Sequence, residues 1–380
     1  MATAILSQAP LSRKYTDLRA EEAASRIEEA KRILGNRVVI LGHHYQRDEI
    51  IRHADFTGDS YKLSKIAANR PEAEFIVFCG VHFMAESADI LTPEFQKVIL
   101  PNMSAGCSMA DMASHFQVKM AWKQLSSVLG EDVEKIVPVT YINSAANLKA
   151  FVGEHGGTVC TSTNAPAAVT WALSESKNRG INRSGSKVFF FPDQHLGRNT
   201  GVKLGFDPIK DMIVWDPFQP LGGNSEEAIR SAIFILWKGH CSVHQRFTVA
   251  QIEKARLEFS NVQILVHPEC PLDVIEASDF NGSTEFIIRT IQSAEPGSIW
   301  GVGTEINLVN RLANDNPAKT IFCLDPLVCP CSTMYRIHPT YLLWVLESLV
   351  NGEVVNQVVV PEAIRLNARA ALDQMMLIGT

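Results

Sequence analysis

Apolar positions along this chain come in short continuous runs rather than in strict alternation. Residues 38–41 (Val-Val-Ile-Leu) and 262–266 (Val-Gln-Ile-Leu-Val) are rich in branched aliphatic side chains and end where polar residues begin. That pattern predicts parallel strands buried on both faces. A third run, "KIVPVTYIN" at 135–143, has the same character. Helical stretches alternate with these runs: "YKLSKIA" after Ser60, "TNAPAAVTWAL" after Ser162 and "EFIIRTI" after Thr284. The alternation predicts an α/β protein made of three repeated αβα units with parallel sheets. The ends read as helices. "AEEAASRIEEAKRIL" carries i, i+4 charge pairs, and "YLLWVLESLV" presents an apolar face suited to packing on a core.

An internal repeat relates two of the units. Residues 38–65 align without a gap on residues 262–289, an offset of 224. Ile40 and Leu41 fall on Ile264 and Leu265, His43 on His267, and Ser60 on Thr284. The Asp55-Phe56-x-Gly58 segment, read as a turn, falls on Asp279-Phe280-x-Gly282, and the same offset carries Cys107 onto Cys331. Packing explains the aliphatic matches but explains a histidine, a hydroxyl and a cysteine poorly. The middle unit keeps the order more loosely, with Tyr141 at a strand end, Ser162 at a helix start and then Cys241. Ligands in α/β folds bind at the carboxyl ends of strands, so three converging units would turn such residues toward one cavity.

Composition narrows the class. The chain has 380 residues and is 46% hydrophobic and 20% charged, which suits a globular protein of two or three compact units. Lys plus Arg number 35 against 41 Asp plus Glu, a net charge of -6, so there is no electrostatic case for a nucleic-acid partner. Residues 1–13 do not read as a secretory signal, and no apolar run approaches the ~18 residues of a membrane span. The expectation is a cytoplasmic protein without a membrane partner.

Eight cysteines scattered through a long chain favour thiols or metal ligands over a disulfide framework. Cys107, Cys241 and Cys331 belong to three separate units and could meet only at a common centre. Three thiolates leave one coordination position open, as a metal acting as a Lewis acid on substrate requires. Cys79 and Cys323 follow strand-like runs and read as small buried side chains. Spacing alone leaves Cys329, in "CPC", and Cys270, beside "HPE", as competing ligands. Ser60, Ser162 and Thr284 are either helix caps or markers of helix N-termini able to receive carboxylate or phosphate. These residues together suggest a metal-assisted enzyme acting on small acidic substrates.

Ten motifs, in order, carry a resemblance: "GHHYQ" (42–46), "GDS" (58–60), "AGCSMADM" (105–112), "VTYINSAANLKA" (139–150), "CTST" (160–163), "FPDQHLGRNTG" (191–201), "WKGHCSVHQRF" (237–247), "HPECP" (267–271), "NGSTEFI" (281–287) and "CSTM" (331–334). They resemble the quinolinate synthase family, from about residue 37 to residue 349. The resemblance implies three α/β domains in pseudo-threefold arrangement around a central active site. It implies one [4Fe–4S] cluster per chain on Cys107, Cys241 and Cys331, with Cys270 no ligand. It further implies a transferase that condenses iminosuccinate with dihydroxyacetone phosphate to quinolinate, phosphate and water.

Carried over residue by residue, iminosuccinate contacts fall on His43, Ser60, Tyr141, Asn143, Ser162, His267, Glu269 and Thr284. The proton transfers of such a condensation need groups beside the carbon skeleton that give and take protons, for which Tyr45, Glu269, His43, Tyr141 and His267 are the candidates, Tyr45 and Glu269 being the preferred pair. The short-lived imine implies transfer from an upstream L-aspartate oxidase or dehydrogenase. The expected organisation is a helical arm at 1–36, α/β repeats at 37–130, 131–258 and 259–349, and a helical tail at 350–380. The competing reading is a metal-binding regulatory sensor of small dicarboxylates, which would not need both Tyr45 and Glu269. His195 and Arg198 in "PDQHLGR" have no task assigned by the sequence.

Overall fold

A computed structural model describes residues 8–178, 186–325, 327 and 330–379. The opening residues 1–7, most of the 174–186 segment and Cys329 therefore lie outside the described residues. The chain is an α/β protein with three sheets and divides into two compact units. The first comprises Met1–Cys107, Glu305–Arg311 and Cys329–Pro361, and the second comprises Ser108–Thr304, Leu312–Val328 and Glu362–Thr380.

The first unit holds one sheet. Strands β1 (Val38–His43), β2 (Phe56–Gly58), β3 (Phe75–Cys79) and β4 (Lys97–Ile99) run parallel in the order β4-β3-β1-β2. Every residue of β1 and β3 is buried, as continuous apolar runs require. Gln357–Val358 adds an antiparallel edge strand beside β4, an element the helical reading of the tail did not contain. Helix Pro339–Val350 buries Leu342, Leu343, Val345 and Leu346 and packs on helix Ala20–Leu34.

Two sheets lie in the second unit. One has β5 (Ile136–Tyr141), β6 (Thr158–Cys160), β7 (Lys187–Phe191), β8 (Met212–Trp215) and β9 (Phe234–Trp237) in the order β6-β5-β7-β9-β8. The other has β10 (Val262–Val266), β11 (Phe280–Asn281), β12 (Ile299–Gly303) and β13 (Thr320–Cys323) in the order β11-β10-β12-β13. All their pairings are parallel. Ile264 and Val266 of β10 join Phe247, Ile252, Val274 and Leu324 in one apolar cluster. Helix Glu362–Ile378 packs on helix Ala146–Glu154. Gly153 allows that approach, since a Cβ there would lie 2.0 Å from the Asn367 carbonyl oxygen.

The repeat read from the sequence recurs atom by atom. The Ile40 N–H donates to Asp55 Oδ2 at 2.7 Å, and the Ile264 N–H donates to Asp279 Oδ2 at 2.7 Å. Leu41 pairs with Phe56 as Leu265 pairs with Phe280. The Asp-Phe-x-Gly segment is therefore not a turn. Its aspartate satisfies a buried strand N–H, and the phenylalanine begins a short strand. Ser60 and Thr284 open helices as expected, though not as caps. Asp59 and Ser283 are the N-caps, while Ser60 and Thr284 occupy the first helical positions and are buried. Ser162 does not open a helix. It lies in a turn closed by Thr161 and Asn164, three residues before helix Ala165–Asn178 begins.

Candidate active site

In the second unit, the residues at the carboxyl ends of the strands make a buried polar cluster. Tyr141 ends β5, and its hydroxyl donates to Glu269 Oε1 at 2.6 Å. Glu269 lies just beyond β10, and its Oε2 is 2.7 Å from His244 Nδ1. His244 Nε2 is in turn 3.1 Å from Thr304 Oγ1, beyond the end of β12. The His244 ring stacks on His267, with centroids 4.3 Å apart. Two hydrogen bonds of 2.8 Å from Asn199 Nδ2, to the carbonyls of Pro268 and Cys270, hold the loop that carries Glu269.

The electrostatics of this cluster separate two roles. Burial, helped by the neighbouring His244, pushes His267 down to about 3, so its ring is neutral near pH 7. Its Nδ1 accepts the Glu269 N–H at 3.3 Å, which leaves the proton on Nε2. Burial pushes the Glu269 carboxyl up, but His244, His267 and the hydrogen bonds from His244 and Tyr141 outweigh it and hold the group below its ordinary value. The cluster thus pairs an ionised carboxylate, able to take a proton, with a neutral imidazole donor. Asn143 and Ser162 are half-buried beyond β5 and β6, and Thr284 is buried at its helix start.

In the first unit, His43 ends β1 and accepts the Tyr45 N–H on Nδ1 at 3.1 Å, so it too carries its proton on Nε2 when neutral. The Tyr45 ring stands edge-on to it, with centroids 4.8 Å apart. Arg311 fixes this loop by donating to the carbonyls of His44 at 2.9 Å and Gln46 at 2.6 Å. Asn307 donates to the Tyr45 carbonyl at 3.3 Å. Ser60 is buried at the start of its helix.

The three cysteines expected as ligands share one local structure. Each is half-buried, is followed by serine and a single helical turn, and lies seven residues before a helix N-cap: Ser114, Thr248 or His338. The Cys241 carbonyl accepts the Gln245 N–H at 3.0 Å, and the Cys331 carbonyl accepts the Tyr335 N–H at 2.9 Å. Within the first unit, the segments beside Cys107 and Cys331 are stapled together. Asn102 Nδ2 donates to the Arg336 carbonyl at 3.1 Å, and Arg336 donates to the Ser104 carbonyl at 2.7 Å. Cys79, Cys160 and Cys270 are different: all are fully buried, and burial pushes their thiols up, Cys79 to about 12. Cys323 donates to the Thr304 carbonyl at 3.8 Å.

Several site residues were not singled out by the sequence. His244 stands three residues after Cys241 inside a motif already noted, yet nothing local marks it as the partner of Glu269. His195 now has a task, since its Nε2 lies 2.6 Å from Gln245 Oε1 on the turn after Cys241. The Cys-Ser dipeptide common to all three cysteine segments was the overlooked signal that they are equivalent.

With this geometry in place, comparison with known proteins is informative. The family model NadA, described as quinolinate synthetase A protein, matches residues 25–377. The quinolinate synthase of Corynebacterium glutamicum is 55% identical over 369 residues, covering 97% of this chain and 91% of that protein. The one from Herpetosiphon aurantiacus is 54% identical over 366 residues, covering 96% and 95%. A third, from Geobacillus thermodenitrificans, is 49% identical over 367 residues, covering 96% of each.

Proposed function

Because the chain belongs to the quinolinate synthetase A family, we propose that it condenses iminosuccinate with dihydroxyacetone phosphate to quinolinate, phosphate and water in NAD biosynthesis. The observation that carries this reading is the buried chain Tyr141–Glu269–His244, which places an ionised carboxylate between two hydrogen-bond donors at strand ends. Glu269 takes protons from the condensing skeleton, and Tyr141 keeps its carboxylate oriented. His43 and the neutral His267 donate from Nε2 to substrate oxygens. Ser60, Thr284, Ser162 and Asn143 receive the carboxylates of the dicarboxylate, with the N–H groups of the first helical turns assisting at Ser60 and Thr284. Tyr45, beside His43, is the second acid–base group.

The donor chemistry of the chain fits an iron–sulfur cofactor. Cys107, Cys241 and Cys331 are half-buried in equivalent segments, whereas the fully buried cysteines have thiols that burial keeps protonated. In this reading those three hold one [4Fe–4S] cluster per chain, which supplies Lewis-acid chemistry at its remaining iron. A cytoplasmic location and delivery of the imine by an upstream oxidase or dehydrogenase belong to the same proposal. Among the described residues no helix is long and apolar enough to cross a membrane.

The test is anaerobic turnover. Protein carrying iron and sulfide should form quinolinate from the two substrates, and Glu269→Gln should stop turnover while a dicarboxylate still binds. Dicarboxylate binding without any product in the fully loaded wild type would replace the enzyme reading with that of a sensor.

A further inference from the structure

Cys241, His244 and Glu269 lie in the second unit and form a donor set that is complete without the other two cysteines. One ligand atom from each lies within 4.8 Å of the others. His244 follows Cys241 on the short helical turn that the Gln245 N–H closes onto the Cys241 carbonyl, so sulfur and imidazole approach from one loop. Glu269 approaches from the loop beyond β10. His244 and Glu269 are buried while Cys241 is half-exposed, which leaves an entry on the sulfur side. Tyr141 and Thr304 already orient the carboxylate and the imidazole, the supporting contacts that metal ligands require.

We propose that these three residues form a site for a single divalent transition ion of the iron(II) or zinc type, which competes with the cluster for Cys241. Thiolate, imidazole and carboxylate together suit borderline ions and disfavour calcium or magnesium. Three protein ligands leave a fourth position for water. The ion takes the place of the hydrogen bond between His244 Nδ1 and Glu269 Oε2: bonds of about 2.1 Å to nitrogen and oxygen widen their 2.7 Å separation to roughly 3.4 Å, and Cys241 binds as the thiolate, its proton passing to solvent. The site is therefore a property of the chain when Cys241 is not holding a cluster. It does not depend on the cluster reading, because neither Cys107 nor Cys331 takes part.

The experiment is a cobalt(II) titration of the full-length, cluster-free protein without oxygen, read by the thiolate-to-cobalt charge-transfer band and the visible bands of a tetrahedral ion. One cobalt per chain should bind, and the double variant Cys107→Ser/Cys331→Ser should bind it equally well. His244→Gln and Glu269→Gln should each weaken binding by about tenfold or more, and Cys241→Ser should remove the charge-transfer band. Circular dichroism of each metal-free variant confirms that it folds. Loss of binding in the double cysteine variant, or unchanged affinity in folded His244→Gln and Glu269→Gln, would overturn the proposal. Failure of the cluster reading alone would instead appear as absent iron–sulfur absorption with the cobalt site intact.

Discussion

Asp193 and Glu305 perform the same task at equivalent places in two sheets. Each stands two residues beyond a third strand, β7 or β12, and caps the helix that follows. Asp193 Oδ1 accepts the N–H groups of His195 at 2.7 Å and Leu196 at 2.8 Å. Glu305 Oε2 accepts those of Asn307 at 2.8 Å and Leu308 at 3.4 Å. Glu305 Oε1 also accepts the main-chain N–H of a candidate ligand, Cys331, at 3.2 Å. Burial pushes both carboxyls up, Glu305 to about 7, while these N–H groups pull them back. At Glu305 one buried side chain thus holds both a helix cap and a cysteine loop, and at Asp193 the capped helix carries His195, whose Nε2 meets Gln245 Oε1 on the Cys241 turn.

Removing either carboxyl should therefore cost stability and metal together. Asp193→Ala and Glu305→Ala each leave helix-end N–H groups without an acceptor, and Glu305→Ala that of Cys331 as well, and we expect a loss of about 2–4 kcal/mol in urea unfolding. Iron per chain should fall in both variants. Unchanged iron content in a destabilised variant would limit these residues to capping.

Glu269 should govern the acid limb of the pH–rate profile. Glu269→Gln is expected to lower kcat by about 10²–10⁴-fold, the usual range for a general base. Tyr141→Phe removes a donor to the ionised carboxylate, which raises the pKa of Glu269. The acid limb of kcat/KM should then move to higher pH while the alkaline limb stays in place. An unmoved acid limb would assign it to another group.

Cysteine replacements should fall into two classes. Cys107→Ser, Cys241→Ser and Cys331→Ser should each abolish the iron–sulfur absorption of protein purified without oxygen. Cys270→Ser should keep it, because that thiol is fully buried and held protonated. Loss of the chromophore in a folded Cys270→Ser protein would exchange its role with one of the three.

The chain should lose stability in acid through His267. The folded imidazole resists protonation until about pH 3, whereas the unfolded one takes its proton near its ordinary value of 6.5. Between those limits the unfolded state binds more protons, so stability rises with pH at up to about 1.4 kcal/mol per unit from this group. Glu269, held low, adds a loss in the same direction below its own ordinary value, and Asp193, held high, opposes it. The difference between wild type and His267→Asn isolates the imidazole. Urea unfolding at about pH 5 and about pH 7.5 should show a smaller drop in the variant, and equal drops would show that His267 is protonated in the folded protein.

The apolar runs at 38–41 and 262–266, the offset that relates them and the set of candidate cysteines were legible in the sequence alone, because burial stamps its pattern locally on the residues that undergo it. The Asp55 and Asp279 contacts were half-visible: the sequence paired the two aspartates, but only the backbone geometry revealed that they accept strand N–H groups. The Tyr141–Glu269 bond joins residues 128 positions apart that belong to different sheets, and the choice of His244 and Thr304 as further partners depends on which strand ends of the two sheets meet. A side chain's residue type states what hydrogen bonds it can make. Which of them it does make is decided by topology, since the partner must arrive from a different strand at a distance of about 3 Å.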